Sequence, residues 1–228
     1  MIHALWIESF SPVARCRNKR TRDKRDMGAK VKAYGRLDLL EASWNLSEFC
    51  CKKIASIITM SGSIEYYAER SIWTLENIEP RGQRPNTDAK QITELIGRIE
   101  GVAAQKSGNE RELLKLWCDG AYSAFIVRNN ICHGVAVKLG GSIAFMRNPQ
   151  WHGEMRRREF GDFWVDENSL DLVADSFASL LRVISGIECA KLTLNEVATP
   201  AALRALSEAR SILGEFGSRD YNPGFEKY

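Results

Sequence analysis

Residues 125–134, "FIVRNNICHG", set a cation (Arg128), two amides (Asn129, Asn130) and an imidazole (His133) into an otherwise apolar run. Burying such groups costs free energy unless each finds a partner, so the cluster calls for a chemical reason. Together these side chains can move a proton and hold an anion. Imidazole titrates near neutral pH and suits proton transfer. Guanidinium makes bidentate, charge-assisted bonds to phosphate oxygens and stabilises charge developing on them. An amide such as Asn129 can orient substrate or the imidazole, with Asn130 and an acidic residue as support. On a continuous helix Asn129 and His133 lie about 40° apart on one face. The long stem of Arg128 can curl to the same place, and Ala124, Val127 and Ile131 form the buried stripe alongside. A plain structural account competes, because a helix dipole favours Arg and His in its last turn with no function implied.

The elements that would position this cluster are helical. Leu37, Leu40, Trp44, Cys51, Ile54 and Ile58 recur at three- and four-residue spacing and predict a helix that Ser61-Gly62-Ser63 breaks. Ile64, Tyr67, Ala68, Ile72, Leu75 and Ile78 predict a second, followed by turn chemistry over residues 79–88. Thr87 or Asp88 is placed to cap a third, with Ile92, Leu95, Ile96, Ile99, Val102 and Ala103 on one face. The fourth carries the polar cluster on its last turns and should end at Gly134 in a left-handed cap. The period then changes. Residues 135–147 alternate about Gly140-Gly141 and read as a β-hairpin, while 148–165 read as irregular or edge structure. A fifth helix carries Leu170, Val173, Phe177, Leu180, Leu181 and Ile184. A last one is bracketed by Thr199 as cap, Pro200 in the first turn and Gly217 as the stop. Trp73, Trp117 and Trp164 read as core, as does the pair Cys50-Cys51.

The totals narrow the class. The chain has 228 residues, 44% hydrophobic and 27% charged, enough for one domain with a buried core and a tail. No apolar run approaches the 18 or so residues of a membrane span, so no membrane contact is expected. The first apolar stretch precedes the positive charges, the reverse of a secretory signal, which points to a cytoplasmic protein. The six cysteines show no CxxC spacing, so neither structural zinc nor a disulfide framework is expected. Net charge is +3, but residues 15–36 hold ten Lys and Arg against two Asp, a local charge of +8 that leaves −5 on the rest. A basic arm on an acidic body suits contact with phosphates or acidic surfaces, with Arg17, Lys19, Arg20, Arg22, Lys24 and Arg25 as the binding candidates. A solvated tail is the other reading of residues 1–35, and Met27 is a second possible start. His152 among Arg156, Arg157 and Arg158 reads as an exposed loop.

The string "VRNNICHG", at the end of an apolar helix, resembles the Arg-Asn-x-Ile-x-His-Gly motif of the HEPN superfamily (higher eukaryotes and prokaryotes nucleotide-binding). Arg128, Asn129, Ile131, His133 and Gly134 match it. The earlier "SWNLSE" is similar to the Trp-x-x-x-Glu pattern of one branch, mapping onto Trp44 and Glu48. The hairpin and following helix resemble that branch too. The resemblance covers residues 36–187, with residues 188–228 as a C-terminal helix extension packed on the bundle. It implies a mainly α fold, an antiparallel helical bundle with a small β-hairpin insertion. It also implies a homodimer and an endoribonuclease needing no metal or cofactor, of the kind found in toxin–antitoxin and antiphage systems. An antitoxin partner would follow from that. Other members of the superfamily keep the fold and only bind nucleotide, RNA or a partner.

Overall fold

The computed structural model describes residues 20–78, 87–140, 142–146, 163–188 and 193–217. It divides into two units, Met1–Ser43 and Trp44–Tyr228. In the first, α1 (Arg20–Gly35) is rich in Lys and Arg and leads into α2 (Leu37–Trp44), the two separated at Arg36 with φ 42°. The described part of the basic arm is therefore helical, as its Lys, Arg and Ala residues favour.

The second unit starts at a different break from the one the sequence predicts. Asn45 takes a left-handed φ of 50°, and Ser47 caps α3 (Glu48–Leu75) by accepting the Cys50 amide at 3.2 Å. Ser61-Gly62-Ser63 does not interrupt this helix. The Ser61 hydroxyl donates to the Ile57 carbonyl at 2.7 Å, and that of Ser63 to Thr59 at 3.1 Å. Ile57, Ser61, Ile64, Ala68 and Ile72 bury one continuous stripe, which outweighs the cost of about 1 kcal/mol for a glycine inside a helix. A second difference follows at α4 (Ile92–Ala104), whose cap is Gln91 rather than Thr87 or Asp88. The Gln91 amide donates to Glu94 at 3.0 Å. Thr87 is buried instead, accepting from Trp73 Nε1 at 3.0 Å and donating to Glu69 at 2.6 Å.

Next come α5 (Gly108–His133), β1 (Val135–Leu139), β2 (Ser142–Met146), β3 (Phe163–Val165), α6 (Glu167–Glu188), α7 (Leu194–Val197) and α8 (Pro200–Gly217). The fold is mainly helical, with one antiparallel sheet of order β1-β2-β3. The expected hairpin is present, Val135 opposite Met146 and Leu139 opposite Ser142. β3 extends it, with Phe163 opposite Phe145. These rings stack at 5.8 Å on the core face, and Phe216 meets Phe163 edge-on at 5.4 Å. Trp164 alternates to the other face and is 46% exposed, so it is not core. Cys51 is exposed as well, because only Cys50 falls on the buried stripe of α3.

The antiparallel bundle expected from the resemblance holds for α4 against α5, where Tyr122 reaches Thr93 and Cys118 reaches Ile96. Two other pairs run parallel. α3 and α6 run parallel, tied at one end by Ser47–Glu167 and Lys53–Asp171 and at the other by Arg70–Glu188. α5 and α8 also run parallel, Asp119 pairing with Arg210 while Gly217 abuts Ser123 and Ile126. Each later helix starts at the same end as its parallel partner because the intervening helices carry the chain back. Trp117 sits at the centre, fully buried, with Nε1 donating to the Leu180 carbonyl at 3.0 Å. Gly120 lets α5 approach α6 there, since a Cβ would lie 3.2 Å from the Leu180 side chain. Burying side chains such as Ile64, Leu113, Leu114 and Phe177 is worth about 1.5–3 kcal/mol each.

Candidate functional site

α5 carries the polar cluster, and its apolar stripe sets the rotation. Ala124, Val127 and Ile131 are buried as their spacing predicts. This leaves Arg128 and Asn129 half-buried at the edge of the stripe and His133 exposed in the last turn, while Asn130 is turned inward and buried. Arg128 curls along the helix so that Nη1 donates to Asn129 Oδ1 at 2.9 Å. Its Nη2 lies 3.5 Å from Glu65 Oε1 on α3, and its guanidinium carbon stands 6.0 Å from the centre of the Phe125 ring. The Arg128 and Glu65 side chains keep 30% and 39% of their exposure, so water screens the pair and its contribution to stability is about 1 kcal/mol or less. The Arg128 Nε is enclosed and has no hydrogen-bond partner among the described residues.

Gly134 ends the helix, but not in a left-handed cap. Its φ of −89° and ψ of 155° are extended, and the chain passes directly into β1. The glycine is required by a close approach. A Cβ would lie 2.5 Å from the Asn130 carbonyl oxygen and 3.0 Å from Phe145 backbone and side-chain carbon. The Gly134 amide donates to that carbonyl at 2.8 Å. The sheet thus grips the last turn of α5, and His133 projects from a helix end whose position β2 holds.

Arg128 and Asn129 therefore come together, and His133 shares the Asn129 face. Arg128 and His133 do not share a face, being about 140° apart around the helix and about 7.5 Å along it. Glu48 is not brought to the cluster. It stands at the exposed start of α3, about 25 Å along the helix from Glu65, and the break at Asn45 separates it from Trp44. The carboxylate that reaches Arg128 is Glu65. Nothing in the local sequence marks it beyond its place next to buried Ile64, because its partner lies 63 residues away. Of the basic candidates, Arg20, Arg22, Lys24 and Arg25 lie in α1, whereas Arg17, Lys19, His152, Arg156, Arg157 and Arg158 fall outside the described residues.

Other reactive groups among the described residues do not build a second centre. Burial, aided by the charges of Glu100 and Asp119, pushes the Cys118 thiol far above its ordinary range, so it stays protonated and poorly nucleophilic. Among the described residues no three His, Cys, Asp or Glu side chains converge as a metal site would require. No described helix is long and apolar enough to cross a membrane. No protein-family model matches the chain, and no curated protein or solved structure matches it either.

Proposed function

We propose that this protein is a metal-independent endoribonuclease of HEPN type that works as a homodimer. The observation that carries the reading is the contact between Arg128 and Asn129 on the last turns of α5, with His133 exposed on the Asn129 face of the same helix. In the reaction, His133 takes the 2′-hydroxyl proton and the 2′-oxygen attacks phosphorus. The bond to the 5′-oxygen breaks, leaving a 2′,3′-cyclic phosphate and a 5′-hydroxyl. Arg128 stabilises the charge on the non-bridging oxygens, and Asn129 holds the guanidinium in place. The leaving oxygen needs a proton donor, and one chain offers a single imidazole in this cluster. A two-fold dimer supplies the second His133. A toxin or antiphage role, with an antitoxin as partner, belongs to the same reading.

A second reading, a silent bundle that binds RNA, nucleotide or a partner protein, draws on the Arg128–Glu65 ion pair, which has an ordinary structural use. One experiment separates the two. Purified protein should sediment or elute as a dimer at micromolar concentration and cut RNA in excess EDTA, leaving cyclic phosphate ends. His133→Ala and Arg128→Ala should each lower the rate on the order of 10²-fold or more, while Cys132→Ala stays active. If His133→Ala is folded by circular dichroism and cuts as well as the parent, the nuclease reading is wrong and the silent bundle replaces it.

A further inference from the structure

Arg128 differs from two other arginines of the same molecule in how its guanidinium is filled. The side edge of a guanidinium, formed by Nε and Nη2, is the fork that takes both oxygens of a carboxylate or phosphate. In Arg98 this fork is closed by Glu76, with Nε donating to one carboxylate oxygen at 2.7 Å and Nη2 to the other. In Arg70 it is closed by Glu188, Nε donating at 2.6 Å and Nη2 pairing with the same oxygen. In Arg128 the equivalent fork is half-made. Nη2 meets Glu65 only at 3.5 Å, Nε has no partner among the described residues, and Asn129 fastens the opposite nitrogen, Nη1, at 2.9 Å.

We propose that Glu65 is a placeholder carboxylate, which holds the Arg128 fork in the free protein and yields it to a non-bridging oxygen of an RNA phosphodiester. The inference rests on the nuclease reading for the identity of the ligand, and gives that site its anion-exchange step. Three features support the exchange. The Asn129 contact keeps the guanidinium oriented when Glu65 leaves, because it uses the nitrogen outside the fork. The Glu65 side chain retains 39% exposure, so its carboxylate can turn to water without being stranded in the core. The enclosed Nε is a donor that gains a partner only when an oxygen enters the fork, which favours an anion that fits both donors over one that touches a single tine. Glu65 also sets a threshold. Its negative charge opposes an arriving phosphate, so single anions compete poorly while an RNA held through several phosphates displaces it.

The test is a double-mutant cycle on the full chain, read by fluorescence anisotropy of a labelled 2′-O-methyl oligouridylate in EDTA. This probe cannot be cleaved, so binding is measured apart from chemistry. Glu65→Gln keeps the shape and removes the charge, and should bind the probe about fivefold to tenfold more tightly. The gain should vanish when Arg128→Ala is also present, whereas Glu112→Gln, on the exposed start of α5, should change affinity less than twofold. Equal or weaker binding by folded Glu65→Gln, a gain that survives Arg128→Ala, or no measurable binding by any variant overturns the proposal. The same preparations are assayed on unmodified RNA. Cleavage without the coupled gain removes the placeholder and leaves the nuclease reading standing. The coupled gain without cleavage does the reverse.

Discussion

Gly134 shows what a single residue contributes to the geometry of the cluster. A glycine after a helix invites a left-handed cap, yet here the backbone is extended and the missing Cβ is what matters. Gly134→Ala has an allowed φ and ψ but would press on the Asn130 carbonyl and on Phe145, neither of which is a free-swinging group. It should cost about 1–3 kcal/mol by overpacking. It should also shift the last turn of α5, and with it His133. Chemical denaturation measures the first effect, and the His133 side-chain resonances report the second. A stability equal to the parent would mean that β2 does not hold the helix end as described. The residues on this turn were partly legible in the sequence. Spacing alone placed Ala124, Val127 and Ile131 inside and set Asn129 and His133 on one face. It had no means to find Glu65, because a pair 63 residues apart is made by the packing of α3 on α5 rather than by local order.

At the scale of elements, three helix starts depend on ionised carboxylates. Glu94 is held below its ordinary pKa first by its hydrogen bond from Lys90 and then by the Gln91 amide. Asp166, just before α6, is lowered chiefly by the Ser169 amide, which donates to it at 2.6 Å. Glu196 is lowered chiefly by the Thr193 amide at 2.7 Å. Each binds its proton more readily in the unfolded chain. Their stabilisation is therefore complete above the ordinary carboxylate range, about pH 4 to 4.5, and is lost as pH falls through the depressed folded values. The melting temperature should fall on acidification below about pH 4.5, and Asp166→Asn should make that fall shallower while still accepting the Ser169 amide. An unchanged acid slope in thermal unfolding of this variant would show that the cap is not ionised. α3 marks where pattern reading failed. Ser61-Gly62-Ser63 looked like a break, but both serines bond back to carbonyls one turn earlier and Ser61 faces the core. The actual break at Asn45 carries no glycine or proline, only an asparagine that tolerates positive φ.

For the whole molecule, charge is divided between a basic stretch of +8 over residues 15–36 and a remainder of −5. If the basic stretch neutralises RNA phosphates, deleting residues 1–35 should weaken binding to a long RNA. Its salt dependence should also flatten, by about 0.7 in the logarithmic slope for each phosphate of a single-stranded RNA that is no longer neutralised. Cleavage of a short RNA at low salt should persist, because the catalytic groups proposed here lie on α5 in the unit Trp44–Tyr228. Binding measured across a range of salt concentrations checks this, and an unchanged slope would make the arm a solvated tail with no part in RNA binding.

Sequence alone determined the helical class, the hairpin about Gly140, the bracket of α8 and the apolar faces of α4, α5 and α6. These follow from periodicity, capping and turn chemistry, which act within a few residues. Tertiary structure alone decided that α3 runs unbroken for 28 residues, that α3 and α6 lie parallel, and that Trp164 faces outward. It also decided that Glu65, not Glu48, reaches Arg128. Each of these turns on which distant surface buries a given stripe, and a local pattern records that a face is apolar without recording what covers it.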